Sequence, residues 1–124
     1  MSKETALELI ESIKDYRVLF IGETIIDEYQ YVTALGKSPK EHLIPVLFHE
    51  QEVFKGGVMA AAILLITFCK TVDVCTGNKP VRKIRMVEQA SLRKLFEVQH
   101  NDIPPGTLDE RLKDDYDVVV VCDF

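Results

Sequence analysis

The chain is predicted to fold as an α/β domain with a mostly parallel sheet and flanking helices, on three observations. Arg17-Val18-Leu19-Phe20-Ile21 and Tyr116 to Asp123 are short runs that stay apolar from one residue to the next, as strands buried on both faces do. Between the first run and a further β-branched strand, Thr71 to Cys75, lies the long apolar segment that follows Gly56-Gly57, and this β-α-β order predicts a right-handed crossover between parallel strands. An acidic residue follows each buried run, which places carboxylates at the sheet edge where open α/β folds bind ligands.

Each element has its own signal. Ala6, Leu7, Ile10 and Ile13 recur at helical spacing, and Ser2 with Thr5 offers capping chemistry, so the chain opens with an amphipathic helix expected to pack on a sheet face. Arg17 to Ile21 is a strand. Tyr29 to Val32 and Ile44 to Val53 are extended pieces separated by the Gly36 to Pro39 turn region, and they need not join the main sheet. Val58 to Ile66 reads as a helix apolar on nearly every side, which predicts burial on several faces. Gly77-Asn78-Lys79-Pro80 punctuates the chain after the Thr71 to Cys75 strand. Val81 to Val87 and Leu92 to Val98 alternate apolar and charged residues, as an antiparallel hairpin with one wet face would. Thr107 to Lys113 is a short helix after the Pro104-Pro105-Gly106 break, and Tyr116 to Asp123 is the last strand.

Composition bounds the function. With 124 residues, 47% hydrophobic and 28% charged, the chain suits one compact domain. A net charge of −5 and a pI near 5.2 argue against general nucleic-acid affinity and favour a small molecule or a protein as partner. The three cysteines, Cys69, Cys75 and Cys122, match no zinc spacing and no closed disulfide framework, so they are expected to be reduced core residues. Residues 1 to 15 lack the apolar core of a signal peptide, and Val58 to Cys69 falls short of the roughly 20 residues that span a bilayer, so a cytoplasmic protein without a membrane partner is expected. His42, His49 and His100 stand without a neighbouring nucleophile or ligand set, and no metal site is expected from them.

Three places could carry chemistry. Asp27, in Gly22-Glu23-Thr24-Ile25-Ile26-Asp27-Glu28-Tyr29, has a carboxylate able to accept hydrogen bonds from neighbouring hydroxyls of a ligand; the plain alternative is a solvated loop acid. Gly56-Gly57 at a helix start could bring backbone N–H groups to a hydroxyl or phosphate, although a simple turn explains the pair equally well. Lys79, Arg82, Lys83, Arg85, Arg93 and Lys94 make the hairpin the one basic region of an acidic chain, able to hold a phosphate or simply to form a solvated face.

Taken together, the strand followed by Gly22-Glu23 and Asp27, Ser38-Pro39-Lys40-Glu41 before Ile44-Pro45-Val46, Gly56-Gly57 before small residues, and Lys83-Ile84-Arg85 with Gln89, Arg93 and Glu97 resemble the N-terminal portion of the PfkB (ribokinase-like) carbohydrate kinases. Within that family the resemblance points to the kinase domain of bifunctional heptose-phosphate kinase/adenylyltransferases. It implies a ribokinase-like α/β fold, here truncated, with a small β lid made by strands at about residues 29–53 and a hairpin at about residues 81–98. It assigns Asp27 to sugar hydroxyls, Gly56 and Gly57 to substrate, and Lys83 and Arg85 to the phosphate of a heptose or hexose phosphate. It also implies a homodimer through the lid or the apolar helix, and MgATP as phosphoryl donor in a complete enzyme.

The departures from the family pattern are specific. Glu23 replaces the family's first Asp, and Ala60 stands where a sugar-contacting Asn is aligned. Some tens of residues are missing between Gly77 and Lys79. Asp123-Phe124 stands where the kinases carry Asp-Tyr-Gly or a relative of it, and the sequence holds neither the Gly-Ala-Gly-Asp motif that supplies the catalytic base nor a Walker-type loop. No catalytic residue and no cofactor are therefore assigned within this chain, which alone is expected to be inactive. The competing expectation is a non-catalytic dimerisation or partner-binding module, and a third is a truncated reading frame that exposes apolar surface and aggregates.

Overall fold

A computed structural model describes residues 1–77, 79–101 and 115–122. Asn78, the expected helix Thr107 to Lys113 with the Pro104-Pro105-Gly106 break, and the Asp123-Phe124 end lie outside the described residues. In chain order the elements are α1 (Lys3–Ser12), β1 (Arg17–Gly22), β2 (Thr24–Ala34), β3 (Val46–Gly57), α2 (Val58–Leu65), β4 (Thr71–Cys75), β5 (Val81–Glu88), β6 (Arg93–His100) and β7 (Val118–Cys122). The fold is α/β, with one parallel sheet and a second sheet that contains an antiparallel hairpin. The chain divides into two units, Met1–Ile25, Lys55–Pro80 and Asp102–Phe124 forming one, Ile26–Phe54 and Val81–Asn101 the other.

The first unit grows from β1, whose Val18, Leu19 and Phe20 are all buried. β4 and β7 flank it in the order β4-β1-β7, both parallel to it, with Ile21 opposite Cys75 on one side and Gly22 opposite Cys122 on the other. β1 is the buried parallel strand that consecutive apolar residues predict, whereas β7, expected to be buried as well, has no buried residue. Val18 and Phe20 point to the same face and form a core with Val58 and Ala62 of α2, ringed by Met59, Leu65, Val72, Val74 and Val120. At the start of β1 the Arg17 N–H donates to the Asp117 carboxylate at 2.7 Å, the Asp117 N–H returns to the Arg17 carbonyl at 2.9 Å, and the Tyr116 hydroxyl donates to Asp73 at 3.1 Å.

Two expectations about the helices change. The Ser2 hydroxyl accepts from the Thr5 N–H at 3.1 Å and caps α1 as its sequence suggests, yet α1 has no buried residue, so the expected packing on a sheet face is not seen. α2 buries only Val58 and Ala62. Ile63, Leu64 and Ile66 are exposed, so this helix buries one stripe and not several faces. No helix among the described residues is long and apolar enough to cross a membrane.

The second sheet has the order β3-β2-β5-β6. β5 and β6 are antiparallel, pairing Lys83 with Gln99 and Arg85 with Glu97, with a bulge between Met86 and Val87. Ile25, Val32, Val81 and Val87 are its buried apolar residues, while every residue of β6 is exposed. β2 is longer than the Tyr29 to Val32 piece expected from the sequence, because Thr24, Ile25 and Ile26 already run as strand. Asp27 therefore lies inside β2 and not in a loop at the end of β1.

Candidate functional site

Alternation along β2 sends Asp27 and Tyr29 to one face and Glu28 to the other. On β5 the same period gives Lys83 and Arg85 a common face. The Arg85 guanidinium is the hub of the first face. It donates from Nη1 to the Asp27 carboxylate and, at 3.3 Å, to the Tyr29 hydroxyl, and its Nε meets Glu97 Oε2 at 2.6 Å. Its carbon also lies 5.2 Å from the centroid of the Tyr29 ring, where Lys94 Nζ approaches at 5.9 Å and Phe54 sits edge-on at 5.8 Å. The side chains of Arg85, Asp27 and Glu97 are 13%, 23% and 29% exposed, so this cluster is partly withdrawn from water. Charge-assisted hydrogen bonds gain strength under those conditions.

The titration behaviour follows from the contacts. Burial opposes the charge on Arg85, but the hydrogen bond to Asp27 and the nearby Asp27, Tyr29 and Glu97 more than offset it and hold its pKa above the ordinary value. The hydrogen bond from the Gln99 side-chain amide is the main cause that holds the Glu97 carboxyl below the usual carboxylate range, with Arg85 and Lys83 acting in the same direction against the opposing effect of burial. Arg85 and Glu97 are thus firmly ionised at neutral pH.

The opposite face carries an acid that sequence reasoning missed. Glu28 is 3% exposed, and it accepts from Gln30 Nε2 at 2.5 Å and from Arg82 Nε at 3.1 Å. The hydrogen bond from Arg82, then that from Gln30, lowers its pKa despite burial. Arg82, one of the basic residues considered for phosphate binding, is engaged in this pair. The signal available in the sequence was the position of Glu28 next to Asp27 in a strand, which forces the two acids onto opposite faces.

The structure brings Asp27, Lys83 and Arg85 onto one sheet face, although Asp27 and Arg85 are 58 positions apart. Gly56 and Gly57 belong to the first unit. Gly57 precedes α2 with φ of 60°, and the Val58 N–H that follows donates to the Glu23 carbonyl at 3.0 Å. A Cβ on Gly57 would fall 2.3 Å from that same oxygen, so close passage of the backbone accounts for the glycine. Ala60 is exposed on α2. Tyr29, Lys94 and Glu97 join the Arg85 cluster; in the sequence Lys94 is one of the hairpin's basic residues, and Tyr29 and Glu97 stand in the quoted motifs without an assigned role.

Among the described residues, the magnesium that the family resemblance implies finds no matching donor set. The sequence has no Gly-Ala-Gly-Asp motif or Walker-type loop, and among the described residues no group of three or more His, Cys, Asp and Glu side chains is placed to hold a metal ion.

No protein-family model matches the chain, and no curated protein matches it. Among solved structures it is similar to a protein provisionally described as a sugar kinase from Clostridium perfringens, at 8% identity and a TM-score of 0.35 over 69% of this chain and 35% of that one. It is also similar to a carbohydrate kinase from Agrobacterium tumefaciens, at 11% identity and a TM-score of 0.35 over 67% of this chain and 34% of that one. The chain therefore spans about a third of the length of each.

Proposed function

We propose that this chain is the acceptor-binding portion of a PfkB-type carbohydrate kinase, acting in the cytoplasm on a sugar phosphate of the heptose or hexose class. The observation that carries the reading is the convergence of Asp27, Lys83 and Arg85 on one face of β2 and β5. An ionised carboxylate beside two cations can accept sugar hydroxyls at one end and leave the cations to a phosphate at the other. Phosphoryl transfer also needs a base near the acceptor hydroxyl and a bound donor. Neither motif for these is in this sequence, so acceptor binding is the step assigned to it.

The test is a titration of the purified chain with sugars and sugar phosphates, followed by backbone amide NMR. Saturable shifts around Asp27, Lys83 and Arg85 are expected for a phosphorylated sugar. A well-dispersed spectrum that no ligand moves would refute the reading.

A second reading, an assembly module that forms a homodimer or docks on a partner, is favoured by the exposed apolar face of α2. It predicts association that depends on Leu64 and is indifferent to sugars.

A further inference from the structure

We propose that Glu97 is a built-in competitor for the phosphate of the ligand, and so sets the preference of this site between phosphorylated and unphosphorylated sugars. The inference rests on the reading of Asp27, Lys83 and Arg85 as acceptor contacts.

A guanidinium presents its N–H donors in a fixed fork, and a phosphate or carboxylate engages it along one edge. In Arg85, Nη1 serves Asp27 and the Tyr29 hydroxyl, and Nε is taken by Glu97 at 2.6 Å. A phosphate that engages Arg85 along its Nε edge must share or replace the Glu97 contact. That contact is set by the hairpin itself, because Arg85 and Glu97 are direct cross-strand partners.

The exchange is also cheap for Glu97. Its other oxygen, Oε1, accepts from the Gln99 side-chain amide, and Lys83 favours its charge from the same face. A carboxylate displaced from Arg85 thus keeps a donor and a nearby cation, and at 29% exposure it can recover water. It is not left as an unpaired buried charge, the outcome that makes most broken ion pairs costly.

Charge decides the direction of the effect. Arg85, Lys83 and Lys94 face Asp27 and Glu97, so neutralising Glu97 removes one of two negative charges from the place a phosphate would enter. Contacts of neutral sugar hydroxyls with Asp27 are left as they were.

The experiment compares wild type with Glu97→Gln in titrations with inorganic phosphate, glucose 6-phosphate and glucose, read by amide NMR and calorimetry. Gln keeps the shape of Glu, and its one carbonyl oxygen can still accept from either Arg85 or Gln99. The variant is expected to bind inorganic phosphate and glucose 6-phosphate about tenfold more tightly, a difference of about 1.4 kcal/mol, with glucose affinity unchanged. A simple loss of hairpin order would weaken all three probes together.

If wild type binds glucose 6-phosphate at Arg85 and the variant binds it no better, the competitor role is overturned and the acceptor reading stands. If neither protein binds any probe, the acceptor reading falls and the competitor role falls with it. Should Glu97→Gln fail to fold, Glu97→Asp serves in its place. The shorter side chain draws the carboxylate back from Arg85 Nε, and the same selective gain for the phosphorylated probes is expected; its absence in a folded Glu97→Asp protein overturns the proposal.

Discussion

Gly57 and Gly36 both have positive φ, at 60° and 84°, but they differ in what surrounds them. A Cβ at Gly57 would meet the Glu23 carbonyl oxygen at 2.3 Å, whereas one at Gly36 would meet nothing within 4 Å. Gly57→Ala is therefore expected to cost about 3 kcal/mol, combining backbone strain with a collision against backbone, and Gly36→Ala about 1 kcal/mol from strain alone. Urea unfolding of the two variants checks the contrast, and equal losses would mean that the close passage at Gly57 is relieved by a small shift. Glu28 supports a second prediction at this scale. Its folded pKa is depressed below the ordinary value of 4.5, with the Arg82 hydrogen bond as the main cause. It therefore binds protons less readily folded than unfolded, and its contribution to stability is complete above about pH 4.5 and is lost as pH falls through the depressed value. Between pH 7 and pH 3 wild type should lose more urea resistance than Glu28→Gln, which has no proton to gain. Glu97 titrates in the same sense in both proteins, so the difference between them isolates Glu28.

At the scale of elements, the β5–β6 hairpin contains a strained joint. Leu92 is the one described non-glycine residue with positive φ, at 55°, and its side chain is exposed while its N–H donates to the Glu88 carbonyl at 2.8 Å. Asn tolerates this region better than Leu does, and little apolar burial would be lost. Leu92→Asn is expected to stabilise the chain by about 0.5 kcal/mol, visible as a higher thermal midpoint with unchanged hairpin amide shifts. The same hairpin shows what was legible in the sequence. Alternation of apolar and charged residues located β5 and β6 to within two residues of their bounds, and consecutive apolar residues located β1 and β7, because these patterns are local consequences of the strand period. The start of β2 was hidden, since Thr24, Ile25 and Ile26 look like the continuation of one motif and not the beginning of another strand. The site was legible as residues but not as contacts. Asp27 was named from its chemistry, and Lys83 and Arg85 were singled out from six basic residues by the family resemblance, while the pairing of Arg85 with Asp27 depends on a sheet order between distant segments, which no local period encodes. Glu97 stood in plain view, yet its role follows only from the cross-strand register.

For the molecule as a whole, the question is what the exposed apolar surface does. An amphipathic pattern was not available to α2, which is apolar on nearly all sides, and the structure settles which side faces the core. Leu65 packs against the Val18, Phe20, Val58 and Ala62 cluster, while Leu64 is 70% exposed with Ile63 and Ile66 beside it. β7 adds a second apolar region, with Val119 and Val121 exposed on a strand of the kind usually covered on both faces. These two regions make separable predictions. If α2 carries an association, sedimentation of the wild-type chain should show mass that rises with concentration, and Leu64→Glu should remove that rise while leaving the urea midpoint nearly unchanged. Val121→Lys tests the β7 region in the same way. Leu65→Glu is the internal control, because a charge placed against the core should unfold the chain at a cost of about 3 kcal/mol or more, whatever the state of assembly. Loss of association in Leu64→Glu together with unaltered sugar-phosphate shifts would show that assembly and ligand binding use different surfaces. A wild-type chain that stays monomeric at every concentration would sink the assembly reading and leave the ligand-binding reading to stand or fall on Asp27, Lys83 and Arg85.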